Sequence, residues 1–91
     1  NIFARHAERV KVANIAQMIN VLQAMILTDG PRRVLTPTYH VYRMYVPFQG
    51  AWVVPVALDA GTYVQGKVTL PRLDAIAARD AQGHTWLSVV N

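Results

Sequence analysis

The sequence predicts an α+β chain, with helices in its first half and antiparallel strands in its second. Two observations carry this. Residues 1–46 are rich in alanine, methionine and long aliphatics at helix-like spacing, and residues 51–91 are rich in β-branched and aromatic residues punctuated by turns. The composition changes near residue 50. At 91 residues the chain is one domain at most, or a piece of one.

The elements follow in order. Residues 2–9 hold good helix formers at Ala4, Arg5, Ala7, Glu8 and Arg9. Residues 10–16 fit two templates. Val10, Val12, Asn14 and Ala16 alternate with Lys11, Ala13 and Ile15 as in a strand, while Ile15, Met18, Ile19, Leu22, Met25 and Ile26 repeat at three and four as in a helix. Periodicity alone leaves both open. Asp29-Gly30-Pro31 is a turn and a stop. Thr36-Pro37 predicts a helix start, with the threonine oxygen capping free amides and proline at the first helical position. Val41, Met44 and Tyr45 then share one face with Tyr42 beside it, and Pro47 ends the segment. Residues 51–58 form a β-rich run that Pro55 interrupts, as at a sheet edge or bulge. Asp59-Ala60-Gly61 and Gln65-Gly66 are turns, and residues 73–79 and 85–91 are strands of a hairpin turning at Asp80-Ala81-Gln82-Gly83.

Composition excludes several classes. Hydrophobic residues make up 53% and charged residues 15%, so the chain is not of the polar, charge-rich disordered kind. Average domains carry about 25% charged residues, so faces of this one are expected to need partners. No apolar run approaches the length of a membrane span, and no signal peptide is visible. Cysteine is absent, which excludes disulfides and thiolate chemistry. The net charge is +4, but only Arg32 and Arg33 are adjacent among the basic residues, so no nucleic-acid partner is expected. The chain opens into an amphipathic pattern and closes on a strand-like run, so an internal piece of a longer protein is expected.

Few residues offer chemistry. The acids are Glu8, Asp29, Asp59, Asp74 and Asp80. Three fall in turns, Asp74 faces outward if its strand alternates, and Glu8 is expected to pair with Arg5 or Arg9. No two acids are placed for paired-carboxylate catalysis. His6, His40 and His84 match no zinc spacing, and the five glycines are scattered turn residues rather than a phosphate loop. No metal or cofactor is expected. The informative polar group is Asn14, Gln17, Asn20 and Gln23, regularly spaced in an apolar stretch. Such amides either tie elements together or serve a sugar, whose hydroxyls need both donors and acceptors.

Three runs carry a resemblance. They are residues 6–28, including Gln17-Met18-Ile19-Asn20-Val21-Leu22-Gln23-Ala24-Met25-Ile26; residues 34–45, including Leu35-Thr36-Pro37-Thr38-Tyr39-His40-Val41-Tyr42; and residues 78–91, ending Ser88-Val89-Val90-Asn91. The first resembles the late catalytic-domain segment of family 51 glycoside hydrolases, the α-L-arabinofuranosidases, and the other two also resemble that family. The stretch from Val46 to Leu70 is less characteristic. The resemblance implies an α+β fragment: the last strand and helices of a TIM (β/α)8 barrel in residues 1–48, then antiparallel strands of a C-terminal jelly-roll β-sandwich in residues 49–91. Residues 1–9 would end the seventh barrel helix, 10–16 would be the last barrel strand, and 35–46 the final barrel helix. It further implies a retaining glycosidase whose two catalytic glutamates lie upstream of Asn1, so no residue here is expected to be catalytic. Gln17 is expected to contact the arabinofuranosyl ring from the C-terminal face of the barrel. Asn20 is expected to hold the loop or the sugar, and Asn14 to be a packing amide. The implied partners are an arabinofuranosyl oligosaccharide or polysaccharide, the rest of the parent enzyme, and further copies in a homo-oligomer. The alternative class is a small non-catalytic β-rich module that binds carbohydrate or protein through Trp52, Trp86 and the tyrosines.

Overall fold

A computed structural model describes residues 1–16 and 18–91. It is an α+β piece built from antiparallel strand pairs and two helices. The first helix, α1, covers Ile2–Arg5. Helical turns continue beyond it, since the Arg9 and Val10 amides both donate to the His6 carbonyl. Residues 10–15 then run without regular secondary structure and pair with nothing among the described residues. The strand expected over 10–16 is therefore not formed within this chain. A strand exists only against a neighbour that takes its amides and carbonyls, and no strand among the described residues pairs with this segment.

The helix-spaced apolar run through Ile26 is also not a helix. Asn20 and Gln23 sit at φ 53° and 58°, left-handed conformations that interrupt any right-handed helix. Ile26 instead opens β1, Ile26–Asp29, which pairs with β2, Arg32–Leu35, from Ile26 opposite Leu35 to Asp29 opposite Arg32. Asp29-Gly30-Pro31 is thus a hairpin turn, with Gly30 at φ 52° in its first loop position.

The next helix, α2, spans Pro37–Tyr45 with proline in its first turn as expected. Thr36 precedes it, but its hydroxyl does not cap the helix. It donates backwards to the carbonyls of Ala24 and Met25 at 2.7 and 3.2 Å, tying the helix start to the preceding loop. A 3-10 turn over Val46–Phe48 ends the segment at Pro47.

The second half is a set of hairpins. Strands β3 (Trp52–Val54), β6 (Asp74–Arg79) and β7 (Thr85–Val90) form one sheet in the order β3-β6-β7, with β4 (Thr62–Gln65) and β5 (Val68–Pro71) as a separate pair. Strand β3 stops before Pro55 and lies at a sheet edge, where a missing amide hydrogen costs least. The β6–β7 register runs from Asp74 opposite Val90 to Arg79 opposite Thr85. One face of this sheet carries Asp74, Ile76, Ala78 and Ser88, and it is turned toward α1 and α2.

Little apolar surface is hidden. Among the described residues only Ala24, Ile76, Ala77 and Ala78 are buried hydrophobics. Large side chains on the other sheet face stay open, Trp52 at 66% and Leu87 at 63% exposure. The radius of gyration is 16.4 Å, against about 12 Å for a compact domain of this length. The fold exposes faces that a self-sufficient domain would cover.

Candidate functional site

The loop between residue 16 and β1 is the region the sequence singles out. Gln17 lies outside the described residues. The backbone that follows it is firmly held. The Met18 carbonyl accepts from the amides of Met25 and Ile26 at 3.0 and 3.2 Å. The Asn20 amide donates to the Ile26 carbonyl at 3.1 Å, and Ile19 bridges Ile26. Asn20 uses both ends of its side chain on one residue. Its Nδ2 donates to Thr28 Oγ1 at 2.8 Å, and its Oδ1 accepts from the Thr28 amide at 2.7 Å. Ala24, at the far end of the loop, is buried, and its carbonyl accepts from Thr36.

Asn14, Asn20 and Gln23 are all exposed. The structure brings Asn20 to Thr28 and leaves Asn14 and Gln23 apart from it. Asparagine tolerates the left-handed backbone at position 20 better than other side chains do. That preference was the available signal for the Asn20 turn; the choice of Thr28 as partner was not readable locally.

Two further polar clusters were missed. The first joins α1 and α2 to the sheet. Arg5 donates to Asp74, and Asn1 Nδ2 donates to the same carboxylate at 2.8 Å. Tyr45 donates to Asn1 Oδ1 at 2.5 Å and lies 2.8 Å from Ser88 Oγ, which itself donates to Asn1 Oδ1 at 3.0 Å. The bond from Arg5, then that from Asn1, holds the Asp74 carboxyl below its ordinary pKa. This corrects two expectations. Asp74 is half-buried and faces the helices, and the partner of Arg5 is Asp74 rather than Glu8, whose neighbour is His6 at 3.7 Å.

The second cluster closes the β6–β7 hairpin. The Asp80 carboxylate accepts from the amides of Gln82 and His84 at 3.0 and 2.9 Å, and from Trp86 Nε1 at 3.0 Å. His84 Nδ1 lies 3.0 Å from it. The Trp86 bond, helped by those from His84, lowers the Asp80 pKa to about 2 against the opposing effect of desolvation. The turn itself was expected at Asp80–Gly83; what the sequence did not give is that the Asp80 carboxylate gathers Gln82, His84 and Trp86 around it.

The arrangement limits the chemistry of the described residues. No group of three or more His, Asp or Glu among them could hold a metal ion. An open apolar cleft of about 490 Å³ lies between α1 and α2, lined by Phe3, Val10, Val12, Val41, Tyr42 and Tyr45. Its walls offer packing surface rather than reactive groups. Trp52 and Trp86 are both exposed, but they form no common stacking platform. Trp52 stands opposite Arg79 and Trp86 opposite Ala78, adjacent rows whose side chains emerge on opposite faces.

The described amides thus form no common site, and the acids Asp74 and Asp80 are held in separate clusters. Comparison with known proteins gives the family. The family profile described as "Alpha-L-arabinofuranosidase C-terminal domain" matches residues 1–89. The chain is 40% identical over 92 aligned positions to an intracellular exo-alpha-L-arabinofuranosidase of Bacteroides ovatus, covering 100% of this chain and 18% of that protein. The crystal structure of the GH51 arabinofuranosidase from Xanthomonas axonopodis pv. citri superposes with a TM-score of 0.86 at 50% identity, covering 99% of this chain and 18% of that one. The chain belongs to the α-L-arabinofuranosidase C-terminal domain family. The resemblance to family 51 read from the sequence is borne out, and the chain spans under a fifth of the length of these relatives.

Proposed function

We propose that these residues form part of a retaining α-L-arabinofuranosidase that removes terminal non-reducing α-L-arabinofuranosyl groups from arabinan- or arabinoxylan-type chains. The observation that carries the reading is the likeness of the whole chain to a GH51 arabinofuranosidase, at 50% identity over 99% of its length. On this reading residues 1–48 end a catalytic barrel and residues 49–91 begin a β-sandwich. The two carboxylates of a retaining mechanism, about 5 Å apart, then come from outside the 91 residues. One attacks the anomeric carbon, and the other protonates the leaving oxygen and later activates water.

Gln17 serves this site as a binding residue. Its amide offers both a donor and acceptors to the hydroxyls of the furanose ring. Asp74 and Asp80 do not stand in for those acids, since each is engaged in its own structural cluster. The exposed apolar faces suit contact with the rest of the enzyme and with further copies of it.

Activity on an aryl α-L-arabinofuranoside tests the reading. The complete enzyme turns the substrate over, and the purified 91-residue chain does not. Turnover by the short chain alone would place the catalytic acids within it. In the complete enzyme, Gln17→Ala lowers kcat/KM roughly 10- to 100-fold, the cost of sugar hydroxyls left without a partner. An unchanged kcat/KM removes Gln17 from the site.

A further inference from the structure

Residues 1–48 and 49–91 meet through one polar cluster. Among the described residues no strand ladder joins them: β1 pairs with β2 in the first half, and the other five strands pair among themselves in the second. Among the same residues, every side-chain hydrogen bond that crosses between the halves has Asn1, Arg5 or Tyr45 on one side and Asp74, Ala75 or Ser88 on the other.

The Asn1 amide is the hub. Its Nδ2 donates to the Asp74 carbonyl at 3.3 Å and to Asp74 Oδ2 at 2.8 Å, and its Oδ1 faces the Tyr45 and Ser88 hydroxyls at 2.5 and 3.0 Å. A side-chain amide has two hydrogens and two lone pairs, so all four are engaged. Asn1 stands at the N-cap of α1 yet makes no capping bond to that helix. Asparagine at this position ordinarily serves its own helix; here it reaches a strand 73 positions away. Arg5, four residues on, donates to Asp74 Oδ1 and to the Ala75 carbonyl, the second at 3.1 Å. Both oxygens of one carboxylate are thus gripped from α1, while Tyr45 brings in the end of α2. Apolar contact is non-directional, whereas hydrogen bonds demand distance and angle, so a cluster of this kind sets how the sheet sits against the two helices.

We propose that this cluster is the joint through which the two halves recognise one another in the complete enzyme, with the Asn1 amide at its centre. The proposal rests on the reading of residues 1–48 and 49–91 as parts of two domains, and it is independent of the sugar chemistry.

The test is amide hydrogen exchange over residues 74–79 and 85–90, followed by mass spectrometry in the complete enzyme. Asn1→Asp keeps the shape of the side chain and remains a good N-cap, but it turns an acceptor toward the Asp74 carboxylate. It is expected to speed exchange of β6 and β7 about tenfold. Arg5→Met should do the same from α1, and Tyr45→Phe, which removes only a hydroxyl of α2, should speed it about threefold. Adding Asp74→Asn to Asn1→Asp exchanges donor and acceptor, and should bring the rate back to within about threefold of wild type. Thr36→Val, a change at the start of α2 outside the cluster, should leave β6 and β7 at their wild-type rate.

Unchanged exchange in Asn1→Asp and Arg5→Met beside a silent Thr36→Val overturns the joint alone. So does a double variant that recovers nothing, because donor and acceptor would then not be what matters. Where Arg5→Met yields no folded enzyme, Asn1→Asp and Tyr45→Phe decide on the same readout. If Thr36→Val speeds the sheet as much as the cluster variants do, the halves are one folding unit, and the two-domain reading falls with the joint. A complete enzyme inactive on an aryl α-L-arabinofuranoside brings down the proposed reaction, while exchange still decides the joint.

Discussion

Residues 10–16 and residues 74–79 both carry strand-like alternation, yet only the second stretch becomes a strand. Strand β6 finds β7 six residues beyond its own end, across a turn closed by Asp80, and finds β3 on its other side. Residues 10–16 have no partner among the described residues. An antiparallel hairpin carries its partner in the adjacent sequence, while a parallel strand needs neighbours joined through long crossovers. A chain can therefore keep its hairpins and leave a strand-like stretch unpaired.

The contrast can be broken or sharpened by substitution. The largest effect is expected at Ile76, the biggest of the buried side chains. Ile76→Ala should cost about 2–5 kcal/mol, read as a lower urea midpoint for loss of the β6–β7 sheet. A shift near zero would mean that this sheet is not the packed centre of the chain.

Acid should act on the same hairpin. The folded pKa of Asp80 is lowered to about 2, below an ordinary value of about 3.9. The carboxylate's contribution is then fully present above about pH 4 and is lost as the pH falls through about 2. The Trp86 indole N–H resonance should follow that titration, and Asp80→Asn should remove the dependence. A transition of the indole signal centred near pH 4 would show that the bonds do not hold the carboxylate in its charged form.

A smaller effect is expected at the loop that precedes β1. Thr36→Val leaves the Ala24 and Met25 carbonyls without their hydroxyl donor and should cost about 1 kcal/mol, while Thr36→Ser should be close to neutral. Both are read as thermal midpoints. Equal midpoints for the two variants would assign the hydroxyl no structural role.

The smallest effect is the sharpest test of the comparison. Val12 is 72% exposed, so Val12→Ala in the 91-residue chain should change stability by less than about 0.5 kcal/mol. In the complete enzyme, where the proposed barrel supplies neighbours, the same change should cost more than about 1 kcal/mol. Equal small effects in both would argue that the segment is exposed everywhere.

Much of the local structure was legible. Asp80 to Gly83 announced the β6–β7 turn, Pro37 announced α2, and Pro55 announced a sheet edge. Periodicity left a helix through Met18, Leu22 and Ile26 open, and it does not form, because periodicity records which residues are apolar and not whether the backbone stays right-handed. The left-handed turns at Asn20 and Gln23 override the spacing. The site was legible in part. The amides could be picked out as a group, but exposure and partner choice could not.

From its own order of residues the chain determined its hairpins, its second helix and its family, because turn chemistry and side-chain pattern act over a few neighbours. Only the tertiary structure decided that Arg5 meets Asp74 across 69 positions and that Ser88 meets Asn1 across 87. It also decided that Thr36 faces backward and that Asn20 closes on Thr28. Those choices depend on where distant segments come to lie. A polar side chain accepts any partner of the right chemistry, so its sequence surroundings do not select one.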